Sequence, residues 1–305
     1  MKIAIIGRSE LLYDSAVLLN KKHEIVCIIS ANEAPEYTRV LADFKRLAEG
    51  WGIPFAQGSK ISDHYDFLLA NPADIAISIN YTGIIPQSIV DIFPLGILNA
   101  HGGDLPRYRG NACQAWAILN GEERIGLCIH KMLGGELDSG DIIAKDFLLI
   151  NQKTKITEVW NWMLLHTPKL IDEAVKKLAK DPQYFLERQS KDPKKALRCY
   201  PRRPEDGKID WNMSSLSILR LINASNKPYA GAFCNWGDKH LTIWDADLVD
   251  DEEIFCAFPG QVTKIGNGYI EVITGLGKLK LTIVELNGSS ISPNLIISST
   301  RTRLT

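Results

Sequence analysis

An α/β fold, a doubly wound and mainly parallel Rossmann-like sheet with a smaller C-terminal OB-like β-barrel domain, is what this chain of 305 residues predicts. Three observations carry that prediction. Through the first half, short apolar runs of strand length alternate with helix-like segments, as a parallel sheet built from βαβ units requires. A charged, proline-containing stretch then breaks the alternation. After it come short strand-like runs punctuated by glycines, the pattern of a small antiparallel domain. The boundaries read from this are 1–185 for the first domain, 186–211 for the link and 212–290 for the second domain. Residues 291–305 are expected to be a frayed tail.

Residues 1–8 (MKIAIIGR) form the opening strand, Leu11 to Asn20 a helix, and HEIVCIIS from His23 the second strand. A helix from about Thr38 to Trp51, a short strand near Ile53 to Phe55 and a helix around His64 to Leu69 continue the alternation. ADIAISIN from Ala73 supplies the fourth strand and runs into the loop Tyr81 to Pro86. The apolar run Leu95 to Leu98 delivers Asn99 and His101, and alternation on a strand puts both on one side. A helix over Ala112 to Asn120, an antiparallel pair at 125–132 and 142–149, and helices near Lys155 to Leu178 complete the first domain. Trp160, Trp162, Leu164, Leu165 and Leu170 read as core, and His130 and His166, each within a regular element, read as structural.

The link Phe185 to Trp211 carries Lys191, Lys194, Lys195, Arg198, Arg202 and Arg203, a run that reads by default as solvated. Beyond it, the segment from Ser215 to Phe233 is a helix and a turn, and strands follow at 240–244, 260–265, 269–274 and 279–286.

The bulk numbers exclude several classes. With 45% hydrophobic and 23% charged residues the chain can bury a full core. No apolar stretch reaches the ~18 residues of a membrane span and no leader precedes the first strand, so a cytoplasmic protein with no membrane association is expected. Cys27, Cys113, Cys128, Cys199, Cys234 and Cys256 stand singly, without zinc spacing, which makes them buried, reduced thiols and leaves no metal to be expected. A net charge of −1 and a pI near 6.6 disfavour a phosphate-gripping face. The lone Gly7 falls short of G-x-G-x-x-G, which argues against a nicotinamide dehydrogenase.

Two segments carry chemistry. In ILNAHGGDLPRYRG (Ile97 to Gly110) a carboxamide and a titratable ring stand two residues apart before a sharp turn. One donates a hydrogen bond and the other exchanges protons near neutral pH, which suits oxygen charge developing while a proton moves, as in acyl transfer. In HKMLGGELDSGDII (His130 to Ile143), Asp138 lies in a Gly-rich loop, where a carboxylate can orient an imidazole or relay a proton. Spacing alone admits Asp141 as well as Asp138.

Together these blocks resemble the folate-dependent formyltransferases, the family of methionyl-tRNA formyltransferase, glycinamide ribonucleotide transformylase and the nucleotide-sugar N-formyltransferases. The family pattern N-x-H-x-x-L-L-P-x-x-R-G followed by D-x-G falls on Asn99, His101, Leu105, Pro106, Arg109, Gly110 and Asp138, with Asp104 where the family usually has Leu. The resemblance covers about residues 1–285 and makes Asn99, His101 and Asp138 the catalytic trio. It implies N10-formyltetrahydrofolate as co-substrate, with a pterin pocket at Tyr81, Gly83, Ile84, Ile85, Gly135, Leu137 and Asp141. For the acceptor it implies Gly103, Arg107, Tyr108, Arg109, Arg202, Arg203, Asp210 and Trp211, because RRPEDGKIDW (Arg202 to Trp211) is similar to a stretch bordering the acceptor site of aminoarabinose-type enzymes. Guanidinium groups match pyrophosphate oxygens; the competing role for Arg202 or Arg203 is a structural ion pair with Glu205, Asp206 or Asp210.

Where a tRNA-modifying relative carries a basic insertion, Arg39, Lys45 and Arg46 are here offset by Glu33, Glu36, Asp43 and Glu49. The expected acceptor is therefore a nucleotide-linked (dTDP, UDP or GDP) amino-dideoxy sugar of glycan, O-antigen or lipopolysaccharide biosynthesis. Methionyl-tRNA is the alternative, and a catalytically inactive folate-binding module the second. The resemblance also implies a homodimer.

Overall fold

The computed structural model describes residues 1–250 and 253–305. Two compact units divide the chain: Met1–Cys113, Ile125–Leu148 and Trp160–Tyr200 form the first, and Gln114–Arg124, Leu149–Val159 and Pro201–Thr305 the second. The second unit thus takes in two short segments that the sequence boundaries assign to the first.

Apolar, β-branched runs become the buried strands of the first unit: β1 (Lys2–Gly7), β2 (Glu24–Ser30), β3 (Phe55–Gln57), β4 (Ile75–Ile79) and β5 (Ile97–His101). Between them run the helices α1 (Glu10–Asn20), α2 (Leu41–Trp51), α3 (Tyr65–Ala70) and the single turn α4 (Gln87–Val90). Next come β6 (Tyr108–Gly110), α5 (Cys113–Asn120), β7 (Arg124–Lys131), β8 (Ile142–Leu149), α6 (Ile156–Lys180) and β9 (Leu197–Cys199). The strand order is β3-β2-β1-β4-β5-β7-β8. β3, β2, β1, β4 and β5 run parallel and β7 is antiparallel to β5. Because β1 pairs β2 on one side and β4 on the other, the order reverses beside β1, the place where open α/β sheets bind ligands at their carboxyl ends.

One 25-residue helix, α6, replaces the separate helices expected. Its buried side chains recur at Val159, Met163, Ile171, Val175 and Leu178, a helical stripe. Leu165, expected in the core, falls off that stripe and is exposed. Part of the expected solvated link is instead structured. β9 pairs in parallel with β6, and Gln189 is buried.

The second unit holds α7 (Ser215–Ala224) and an antiparallel sheet of β10 (Ala232–Trp236), β11 (Lys239–Val249), β12 (Val262–Gly266), β13 (Tyr269–Ile273), β14 (Lys278–Leu286) and β15 (Ser289–Ile291). The order β10-β11-β14-β13-β12, with β15 on β14, encloses a core that includes Trp211, Ile218, Ile222, Leu241, Val272 and Leu281. The expectation of a frayed tail is corrected here. Ile297 and Leu304 are buried in that core, and the last residues hydrogen-bond to both outer strands. The Val262 amide donates to the Thr302 carbonyl (3.0 Å), the Leu304 amide to the Gly260 carbonyl (2.8 Å), and the Thr305 amide to the Asn235 carbonyl (3.0 Å).

Among the described residues no helix is long and apolar enough to cross a membrane. Cys256 is exposed, contrary to expectation, while the other five cysteines are buried thiols.

Candidate active site

Strand register assembles this site. Pleating turns Asn99 and His101 of β5 to one side, and the antiparallel register places His130 of β7 directly opposite Asn99. Just past β5 the chain turns over Gly102 and Gly103 and comes back at Tyr108, whose carbonyl oxygen lies 2.6 Å from His101 Nε2 and accepts its hydrogen. A Cβ on Gly103 would stand 2.5 Å from both of those atoms, so the turn closes onto the ring only because position 103 has no side chain.

Asp138 is the hub. Its Oδ2 accepts a hydrogen bond from the Gly110 amide at 2.9 Å and faces His101 Nδ1 at 3.5 Å. Its Oδ1 lies 3.4 Å from Asn99 Nδ2 and 3.5 Å from His130 Nε2. The residue itself adopts a left-handed backbone (φ +48°), a costly conformation that clusters at functional sites and that Asp tolerates better than most. Gly110 also has positive φ (+103°), and β6 turns its amide toward the carboxylate while pairing with Cys199 on β9.

Burial alone would raise the Asp138 pKa. The His101 ring and the Gly110 amide work against that and the carboxyl is held far below the usual carboxylate range. Burial lowers the pKa of His101, with Asp138 and the Tyr108 carbonyl working against that effect. Both ring nitrogens of His101 thus face acceptors, an arrangement able to accept a proton when negative charge arrives nearby.

The structure brings the predicted pterin-pocket loops together. The Gly135 amide donates to the Ile85 carbonyl (3.1 Å) and the Gly134 amide to Gln87 Oε1 (2.8 Å). Ile85 is buried beneath them, whereas Ile84, 70% exposed, and Gly83 lie open. Tyr81 gives its hydroxyl hydrogen to the Gly58 carbonyl (2.9 Å), and burial pushes its pKa up to about 12. Leu137 packs at the Gly110 backbone, and Asp141 serves the sheet through its carbonyl, which accepts from the Lys131 amide at 2.9 Å.

Several expected acceptor contacts have other duties. Arg109 donates to Gln189 Oε1 at 2.9 Å, and Gln189 Nε2 donates to the carbonyls of Asp138 (2.9 Å) and Gly140 (2.7 Å). The arginine thereby braces the loop that carries Asp138. Tyr108 is buried with the exposed Arg107 guanidinium 5.1 Å over its ring.

In the second unit, Arg202 is spent on Ala224 O, Ser225 Oγ and Asp206 O at 3.1 to 3.3 Å, a structural role. Arg203 is exposed, with its backbone amide held by Asp206 Oδ2 at 2.7 Å. Asp210 is exposed and caps Asn212, and Trp211 is buried in the second core.

His130, read from the sequence as structural, lies beside Asn99 and Asp138. Its ring is 1% exposed, and Nε2 is 3.1 Å from Asn99 Nδ2. Gln189 also escaped the sequence reading. One signal was available for His130: a lone polar residue ending the apolar run of β7 must find a buried partner. For Gln189, inside a charged link, there was none. His166, by contrast, pairs with Asp146 at 2.6 Å, in keeping with a structural role.

An amide, an imidazole and a carboxylate gathered beyond the carboxyl ends of a parallel sheet form a site able to serve acyl-group transfer. Residues 1–175 match the Formyl transferase family, and residues 202–297 match Formyl transferase, C-terminal domain. The chain is 28% identical over 276 residues to methionyl-tRNA formyltransferase of Agathobacter rectalis, covering 89% of this chain and 87% of that protein.

Among solved structures, an N-formyltransferase from Helicobacter canadensis in complex with folinic acid and dTDP-3-aminofucose matches with a TM-score of 0.66 at 18% identity, over 92% of this chain and 99% of that one. HypX from Aquifex aeolicus in complex with tetrahydrofolic acid matches with a TM-score of 0.63 at 17% identity, over 94% of this chain and 44% of HypX. The chain therefore spans less than half of HypX. It belongs to the folate-dependent formyltransferase family.

Proposed function

We propose that the chain transfers a formyl group from N10-formyltetrahydrofolate to the amino group of a nucleotide-linked amino-dideoxy sugar on dTDP, UDP or GDP. The observation that carries the chemistry is the convergence of Asn99, His101 and Asp138. The folate fits the paired loops at 81–87 and 134–135, where Ile84 offers an open aliphatic face to a flat ring and backbone groups lie beside it. When bound there, it supplies the formyl carbon and a nitrogen leaving group.

The remaining steps belong to this chain. Asn99 and protonated His101, the latter through the Nδ1 hydrogen that the Tyr108 carbonyl does not hold, donate to the formyl oxygen as an amine attacks and negative charge grows there. That charge adds to the field of Asp138 and offsets the burial that discourages protonation of His101. Asp138, kept ionised by its neighbours, holds the ring, takes the amine proton directly or through water, and returns it to the departing folate nitrogen, which leaves as a neutral amine.

Charge placement supports a sugar acceptor. In the segment where tRNA-modifying relatives carry a basic insertion, Arg46 is engaged by Asp43 at 2.5 Å and Arg39 lies 4.4 Å over the Tyr13 ring. Those cations are occupied within the fold. The relative from Helicobacter canadensis, solved with dTDP-3-aminofucose, supports the same acceptor class. Methionyl-tRNA is the second reading, favoured by the 28% identity to the Agathobacter rectalis enzyme.

The deciding experiment incubates the purified protein with N10-formyltetrahydrofolate and a panel of dTDP-, UDP- and GDP-linked amino sugars alongside methionyl-tRNA. Mass spectrometry follows the gain of a formyl group. A formylated sugar is expected; formylation of methionyl-tRNA with every sugar untouched refutes the sugar reading.

A further inference from the structure

We infer that His130 is a positioning residue that acts through Asn99, accepting one hydrogen of its carboxamide so that the other is aimed at the reacting oxygen beside Asp138. The inference rests on the role given above to Asn99, His101 and Asp138.

The register of β5 and β7 makes Asn99 and His130 cross-strand partners, so their side chains share one face. The protonation pattern of the ring follows from its surroundings. Nδ1 lies 2.9 Å from the Lys131 carbonyl, which can only accept, so Nδ1 carries a hydrogen. In the neutral ring Nε2 then keeps a lone pair, 3.1 Å from Asn99 Nδ2 and with Asp138 Oδ1 3.5 Å away. Turning the amide over would set its oxygen against that lone pair and against the Asp138 carboxylate, so the ring fixes which end of Asn99 faces inward. One amide hydrogen goes to His130. The second is given to Asp138 Oδ1 over a long Nδ2–Oδ1 distance of 3.4 Å, on the side where the trio converges, and is the one a developing oxyanion can take over. With the ring 1% exposed, no water competes for Nε2.

Two measurements test this. Nitrogen NMR of the histidine-labelled protein, which needs no substrate, should show His130 with hydrogen on Nδ1 and a lone pair on Nε2. A hydrogen on Nε2 overturns the inference. Kinetics with N10-formyltetrahydrofolate use a dTDP-linked 3-amino sugar, or methionyl-tRNA if that alone is accepted. His130→Phe keeps the bulk but removes the acceptor; kcat should fall by about tenfold or more, with KM for folate changing by less than about threefold.

His130→Gln, which can present an oxygen to the amide, should recover most of the loss. In an Asn99→Ala background His130→Phe should cost nothing further. An undiminished kcat in His130→Phe, or an equal loss with and without Asn99, overturns the inference. Asn99→Ala at the wild-type rate instead removes the role assigned to the trio, and a slow Asn99→Ala beside an intact His130→Phe removes only the positioning role.

Discussion

Gly103 leaves no room for even one methyl group. Gly103→Ala should push the Tyr108 carbonyl away from His101, cost about 1 to 3 kcal/mol in stability from overpacking, and abolish most turnover. Thermal unfolding and a formyl-transfer assay would check this, and a fully active variant would show that the ring does not need the carbonyl. At His101 the sign of the pKa shift sets a pH window. Burial lowers the folded value below 6.5, so the unfolded chain takes up the proton first as pH falls. The ring therefore adds stability above 6.5, and that contribution is lost as pH falls through the folded value. Between about pH 8 and 5 the Tm should decline on the acid side, and less steeply in His101→Gln. Equal slopes would assign the decline elsewhere. Asp138, whose pKa is also lowered, loses its contribution in stronger acid, as pH falls from the usual carboxylate range down through the folded value, so the two residues separate on the pH axis.

At the level of elements, the Asp138 loop is held from behind by Gln189. Gln189→Leu leaves the Asp138 and Gly140 carbonyls without that donor, at about 1 to 3 kcal/mol, and takes the Gln189 acceptor from Arg109, which keeps the Ser190 carbonyl. Turnover should drop with little change in folate affinity; a loss of folate binding at normal kcat would contradict the bracing role.

The sequence made Asn99 and His101 legible because they sit two apart on one strand, and alternation needs no tertiary information. The partner of His130 was not legible, since its place opposite Asn99 depends on β7 returning antiparallel after some twenty intervening residues, a register no local pattern specifies. Arg109 misled for a related reason: a guanidinium matches a phosphate and a neighbouring amide oxygen equally well, and only the fold supplied Gln189.

Across the whole molecule, the alternation of apolar strands and helices was enough to predict the first unit, and glycine-spaced strands the second. The last residues were misread because ISSTRTRLT is mostly polar, with only Leu304 and the preceding Ile297 turned into the core. Leu304→Ala should therefore cost about 2 to 5 kcal/mol, and removal of residues 302–305 should lower the urea midpoint further. An unshifted midpoint after truncation would show that the terminus adds nothing.

The same terminal segment meets the outer strand at each end of the second sheet: residues 302–304 beside Gly260 to Val262, and residue 305 beside Asn235. Ile209 engages the next stretch of β10 through the Phe233 carbonyl at 2.8 Å. A peptide from another protein could not extend that sheet by strand addition at these positions without first displacing the chain's own end, which guards these two edges against edge-to-edge pairing.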